Sequence, residues 1–314
     1  MDLATDPHVL AIGEALVDIV SPASNPAAAT EIPGGSPANV AMTLGRLGRN
    51  VALQTWLGRD ARGDVVARHF GDSHVLITPE SFGATRTPTA TASIDERGAA
   101  TYTFDLEWAP TPPIQVSDQA RVVHAGSIAA VIEPGGPAVL DALVTARQHA
   151  IITYDPNARP NIMGSPEESL RVVNKFVAVS DVVKVSDEDV DWLTGGRPVD
   201  DVARDWLTMG PSIVIVTRGK EGALALTASG VRRAAVPADV PVIDTVGAGD
   251  SFMGGIIDAL WTLGLVGAMS RPALRDIDDE QVRQILDRAS AISDITVSRA
   301  GANPPWLSEL AGVR

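Results

Sequence analysis

The chain has 314 residues, 45% of them hydrophobic and 20% charged, which is ordinary for a globular protein with one large core. A formal charge of −14 and a pI of about 4.7 argue against non-specific binding to nucleic acid or an anionic membrane. They leave room for a phosphate ligand, because helix amides and a few cations can build a local positive site. The absence of cysteine excludes disulfides and thiolate metal sites, and His8, His69, His74, His124 and His149 never share ligand spacing on a helix face.

The opening residues "MDLATDPHVL" carry two acids, no lysine or arginine and no long apolar run. They do not read as a signal peptide, so the cytoplasm is the default location. "HVLAIG" (8–13) is an apolar run of strand type, and "ALVDIV" (15–20) is β-like with Asp18 inside it. "SPASNPAAATEIPGG" reads as loop. A helix then begins with Ser36 as N-cap and Pro37 at the first helical position. Val40, Ala41, Leu44 and Leu47 form its apolar stripe, and Gly48 ends it. Residues 51–58 are the next strand. Residues 85–108 differ from the rest: Thr-rich alternating segments flank a turn at "DERG", a β-hairpin that with 15–20 would form a small separate sheet.

From 120 onward strands and helices alternate. Strands are expected at 121–126, 150–155, 181–185, 212–217, 223–227 and 242–245. Helices are expected at 136–149, 166–179, 187–194 (capped by Gly195), 199–209, from about 248, and near 278–290. The weakly polar stretch 253–270 holds Asp258 and four glycines without flanking bases, so it reads as a buried helix and not a membrane span. The pattern implies a single doubly wound α/β domain, a mostly parallel sheet with helices on both faces. "DPNAR", "KVSDED", "TRGKEG" and "DTVGAGD" should then share the edge where such sheets bind ligands.

"DTVGAGD" (244–250) suggests chemistry. The amides of Gly247, Ala248 and Gly249 at a helix start would form an anion hole, and Asp250 would sit beside it as a proton acceptor. That pairing suits phosphoryl transfer to an alcohol. For this loop alone, an aspartate that merely complements the helix dipole is an equal alternative. There is no G-x-x-x-x-G-K-[ST] and no strand-linked G-x-G-x-x-G. In "GGSPANVA" (34–41) two glycines let a ligand approach the backbone, and Asn39 stands in the first helical turn. Asp18 and Asn39 supply the acceptors and donors a sugar needs, although a solvent-facing Asp and a helix-terminal Asn are simpler readings of each.

"GGSPANVA" and "DTVGAGDSFMGG" resemble the N- and C-terminal signatures of the ribokinase-like (PfkB) carbohydrate kinases. "GEALVDIV", "YDPNARP", "KVSDEDVDWLTG", "VTRGKEGALAL" and "SRAGANPP" follow in that family's order, and the fructokinase-like branch is most similar. The resemblance implies one kinase domain over 1–314 with a β-sheet lid from about 14–33 and 84–110. It implies ATP-dependent, Mg²⁺-requiring phosphorylation of a sugar's primary hydroxyl, most naturally that of D-fructose. Asp250 would be the base, with Gly247, Ala248 and Gly249 as the anion hole. Asp18, Gly35, Asn39, Phe104, Asn157 and Arg159 would hold the sugar. Lys184, Ser186, Thr217, Gly219 and Gly222 would line the nucleotide. Asp189 would help hold Mg²⁺, and Asp244 and Thr245 a monovalent cation such as K⁺. One departure stands out: the family's Asn-x-x-Glu is here "SDED", with Ser186 and Asp189 in those places, and Ser186 also reads simply as a helix N-cap. The alternatives are a kinase of 2-keto-3-deoxygluconate, ribose or a nucleoside, or a catalytically silent sugar or nucleotide sensor. The expected partners are a sugar and ATP, with no nucleic acid or membrane; a homodimer is compatible with such a chain.

Overall fold

A computed structural model describes residues 1–22, 28–94 and 100–310. Nine strands form the main sheet: β1 (His8–Ile12), β4 (Val51–Gln54), β5 (Val75–Ile77), β8 (Ala120–Gly126), β9 (Ile151–Asp155), β10 (Val182–Ser186), β11 (Ile213–Thr217), β12 (Ala223–Thr227) and β13 (Arg232–Ala235). Their spatial order is β13-β12-β11-β10-β9-β8-β1-β4-β5. All neighbours from β5 to β11 run parallel; β12 and β13 are antiparallel additions at one edge. A second sheet, ordered β3-β2-β6-β7, is built from β2 (Leu16–Pro22), β3 (Thr30–Gly34), β6 (Thr89–Ile94) and β7 (Ala100–Asp105).

Both faces of the main sheet are covered, which is why its strands read as unbroken apolar runs. On β1, Val9 and Ala11 join one core, and Leu10 and Ile12 join the other. The first core is closed by α1 (Ser36–Arg46), α2 (Ala61–Gly71), α8 (Ala248–Thr262) and α10 (Asp279–Val297). The second is closed by α3 (Gly135–Ala146), α5 (Pro166–Val179), α6 (Asp187–Thr194) and α7 (Val199–Met209). Two short α-helices, α4 (Pro160–Met163) and α9 (Arg271–Arg275), are the others among the described residues. Of the stretch 253–270 read as one buried helix, residues 253–262 lie in α8, whose residues from Asp250 to Leu260 are all buried; the helix ends at Thr262, Gly264 turns the chain at φ 71°, and Ala268–Ser270 form a separate 3-10 turn. No helix among the described residues is long and apolar enough to cross a membrane.

Several sequence expectations need correction. Residues 242–245 are not a strand. Proline at 241 lacks a donor N–H, and the edge of β12 is already taken by β13; the amides of Ile243 and Asp244 donate instead to the Val297 carbonyl (2.8 and 3.2 Å). β13 escapes a pattern search because an edge strand reading "RRAA" has no apolar run. Residues 30–34 are strand β3 and not loop, with "TEIPG" mostly exposed at the edge of the small sheet. The strand read at 51–58 stops at Gln54, and α2 and β5 follow it unannounced. Ser36 is the first residue of α1, not its N-cap; Gly35 occupies that place, and the Ser36 hydroxyl is used elsewhere. The hairpin is present as the antiparallel β6–β7 pair, while its "DERG" turn lies outside the described residues.

Candidate active site

α8 positions the central carboxylate. Gly247 precedes it at φ 74°, a left-handed conformation that glycine adopts freely, and a Cβ there would meet Ala302 at 2.6 Å. The chain then enters the helix, placing Asp250 in its first turn, buried, at the wall of a cavity of about 830 Å³. Three side chains donate to it. Ser36 Oγ lies 2.7 Å from Oδ1, Asn39 Nδ2 lies 2.8 Å from Oδ2, and Asn157 Nδ2 lies 3.2 Å from Oδ1. Asn157 follows β9 at φ 37°, a costly conformation for a residue with a Cβ, held by the surrounding contacts.

The structure gathers most of the expected sugar residues. Asp18, Gly35, Asn39, Phe104, Asn157 and Arg159 all line the cavity, with the small sheet forming one wall and the end of the main sheet the other. Asn39 Oδ1 is buried without a partner among the described residues, an acceptor left over for a hydroxyl. Burial pushes the Asp18 carboxyl up, and the Arg159 charge opposes that shift. Gly34 is tied to this carboxylate, since a Cβ there would sit 2.4 Å from Asp18 Oδ2. Gly35 adopts φ 113°, where a Cβ would strike the Glu14 carbonyl at 2.4 Å. Phe104 stacks on Tyr102, ring centroids 6.1 Å apart. Arg159 Nη1 is occupied in part by the Asn157 and Ala158 carbonyls and Asn157 Oδ1, at 2.7–3.0 Å.

Of the three expected anion-hole residues, Gly247 and Gly249 line the cavity, whereas the Ala248 amide donates to the Thr245 carbonyl at 3.2 Å. A Cβ on Gly249 would lie 2.9 Å from Lys184 Nζ, so the loop rests directly on that ammonium. Lys184 pairs with Asp155 at 3.0 Å, both almost fully buried. Burial pushes Asp155 up to about 6 although Lys184 opposes it. Burial works against the Lys184 charge, but Asp155, Asp189 and Asp250 together outweigh it and raise the Lys184 pKa.

Lys184 packs against Gly249 of the cavity lining; the other expected nucleotide residues are not in that lining and follow the same edge of the sheet. Ser186 caps α6, accepting the Asp189 amide at 3.0 Å. Asp189 Oδ1 accepts the Ala158 amide at 3.1 Å. Thr217 ends β11, and Gly219 and Gly222 shape the turn into β12 at φ 48° and 84°. Gly222 has a packing reason as well, because a Cβ there would collide with the Ala235 carbonyl. Asp244 accepts the amides of Val246 (3.0 Å) and Gly301 (2.8 Å), which hold its carboxyl below the usual range, and Thr245 lines the cavity beside it.

Sequence reasoning missed Glu14 and Ser127, which line the same cavity, and the Ser36–Asp250 bond. Glu14 had a signal, a lone acid inside "AIGEALV"; Ser127, directly after β8, had none.

Comparison with known proteins settles the family. The profile described as "pfkB family carbohydrate kinase" matches residues 6–309. The chain belongs to this family. It is similar to a fructokinase from Rhizobium leguminosarum bv. trifolii, 33% identical over 289 residues, 86% of each chain. A probable fructokinase-4 from Arabidopsis thaliana is 32% identical, covering 96% of this chain and 94% of its own. Among solved structures, a Xylella fastidiosa fructokinase with bound ATP superposes with a TM-score of 0.80 at 25% identity over 97% of both chains. A Vibrio cholerae fructokinase double mutant holding fructose, ADP and potassium gives 0.75 at 25% identity, covering 96% and 95%. The doubly wound sheet and the small covering sheet are thus the architecture of a pfkB-family carbohydrate kinase.

Proposed function

We propose that this kinase transfers the γ-phosphoryl group of ATP to the primary hydroxyl of D-fructose. The observation that carries the reading is Asp250, whose carboxylate is held at the cavity wall in the first turn of α8. The sugar hydroxyl gives its proton to Asp250 as it attacks the γ-phosphorus, and the bond from that phosphorus to the β–γ bridging oxygen breaks to release ADP. Developing charge on the phosphoryl oxygens meets the amides at the start of α8 and the Lys184 ammonium beneath them. Asp18 and the free Asn39 oxygen accept sugar hydroxyls, and the small sheet shields the reaction from water. Similarity to proteins named fructokinase supports the choice of sugar.

Among the described residues no three His, Cys, Asp or Glu side chains gather to hold a metal ion. This fits a magnesium ion that arrives on ATP's phosphates and takes one or two carboxylates from the protein. Asp189 is one such carboxylate, and Asp155 keeps a buried oxygen without a partner among the described residues. Mg²⁺ supplies charge neutralisation. Activity should therefore vanish in EDTA and return with Mg²⁺; turnover that survives chelation would exclude a metal requirement. The loop clamped by Asp244 is the candidate monovalent-cation site. K⁺ should activate more than Na⁺, and equal rates in the two salts would remove that assignment.

An ADP-release assay on fructose, ribose, glucose, adenosine and 2-keto-3-deoxygluconate tests the whole reading. Fructose should give the highest kcat/KM, and no release with any sugar would favour a silent sensor. Arg159 at the cavity keeps the keto-acid as the second reading, since a carboxylate substrate needs a cation near Asp18. Asp18→Ala should raise KM for fructose by about tenfold or more while leaving KM for ATP near its wild-type value, because removing the half-buried acceptor leaves a bound sugar hydroxyl unpaired. An unchanged sugar KM would remove Asp18 from the sugar site.

A further inference from the structure

β1 and β8 are neighbours at which the chain's winding reverses: β4 and β5 follow on one side, β9, β10 and β11 on the other. Ligands bind outside the strand ends at such a point. Two residues at those ends have no part in the transfer described above. Glu14 stands between β1 and β2, at the joint of the two sheets, 7% exposed and lining the cavity. Its Oε1 accepts the Ser36 amide and its Oε2 the Ala129 amide, both at 3.3 Å, and Ser127 lines the cavity beside it. Ser127 holds φ 56°, which costs free energy in a residue with a Cβ and persists only when its surroundings fix it. The Ser36 hydroxyl in turn donates to Asp250.

We propose that Glu14 is a positioning residue for phosphoryl transfer, fixing Ser36 from the joint between the sheets and, through the Ser36 hydroxyl, the orientation of the Asp250 carboxylate. The proposal rests on the reading of Asp250 as the base. A carboxyl group accepts on both oxygens without restriction only when ionised. Burial pushes Glu14 up to about 7, while the neighbouring Ser127 side chain and the Arg159 charge pull it down. Asp18, Asp250 and Arg159 line the same cavity, and Glu107 lies behind it. Because the folded group titrates late, the clamp is complete above that pH and loses an acceptor below it. Activity therefore rises as pH passes upward through this range.

The test is the pH profile of kcat/KM for the sugar in wild type, Ser36→Ala, Glu14→Gln and the double variant. Each single substitution should lower the plateau by about ten- to a hundredfold, the scale of a misplaced reacting group. The double variant should be little worse than either, because both cut one chain of contacts. Either substitution should abolish the rise near pH 7, whereas a rise owed to the buried Asp155 would survive both. Additive losses overturn the proposal. So does a folded Ser36→Ala enzyme that keeps the wild-type rise, a result that needs no Glu14 variant to fold. Asp250→Asn assayed alongside separates the two readings. If it keeps its turnover, the base assignment falls and this proposal with it; if it is inactive while Ser36→Ala keeps the pH rise, only the Glu14 proposal falls.

Discussion

Asp250→Asn should lower kcat by at least the roughly 10²–10⁴-fold that a positioned general base contributes. The substitution keeps the side chain's shape, but an amide cannot take the hydroxyl proton. It also spoils the local hydrogen bonds: Ser36, Asn39 and Asn157 all donate to this carboxylate, and an amide group turns one acceptor into a donor facing them. ATP affinity should change little, because the nucleotide residues other than Lys184 lie elsewhere along the sheet edge. Steady-state kinetics with both substrates varied will check this, and near-wild-type turnover in a clean preparation would remove Asp250 from the chemistry.

Lys184→Met should destabilise the fold by about 3–5 kcal/mol, the usual cost of removing one partner of a buried ion pair. Asp155, with no exposed surface, loses the Lys184 counter-charge and keeps Asp250 and Asp189 as neighbours. The pH dependence has a definite sign. Burial already pushes Asp155 up to about 6, and without Lys184 to oppose it the carboxyl would be pushed higher. A carboxyl group whose folded pKa is raised costs stability as pH climbs above its unfolded value. The variant should thus lose more stability relative to wild type at pH 8 than at pH 5. Urea titrations at the two pH values will measure it. Adding Asp155→Leu should recover much of the loss, and a Lys184→Met protein as stable as wild type at both would show that the pair is energetically idle.

Much of this architecture was legible because the main sheet is buried on both faces. β8 to β12 and helices α5 to α8 announce themselves as apolar runs and apolar stripes. Pattern fails where burial is partial. β3 is an edge strand that is mostly exposed and β13 one that alternates between exposed and half-buried, and "VIDT" looks like a strand only until its neighbour's edge is found to be occupied. The site divides in the same way. Asp250, Asn39 and Asp18 are polar residues in apolar or glycine-rich settings, and so they stand out. Ser36 looked like a helix cap because its local sequence is that of one. Only the approach of α8, more than 200 residues later in the chain, turns its hydroxyl toward a carboxylate. Glu14 and Ser127 owe their importance to the parallel pairing of β1 with β8, which no local stretch of sequence encodes.

That span of the chain has a consequence for how the enzyme comes into being. The bonds that hold Asp250 reach back 214 residues to Ser36 and 211 to Asn39. Contacts this far apart in sequence close only after much loop entropy has been lost, so they form late in folding. A chain emerging from the ribosome has its sugar-facing residues long before it has its base. Partly folded molecules can therefore gather sugar-site elements without being able to split ATP. Catalytic activity becomes a reporter of completed folding: in refolding experiments, turnover should return no earlier than the packing of α8 against α1.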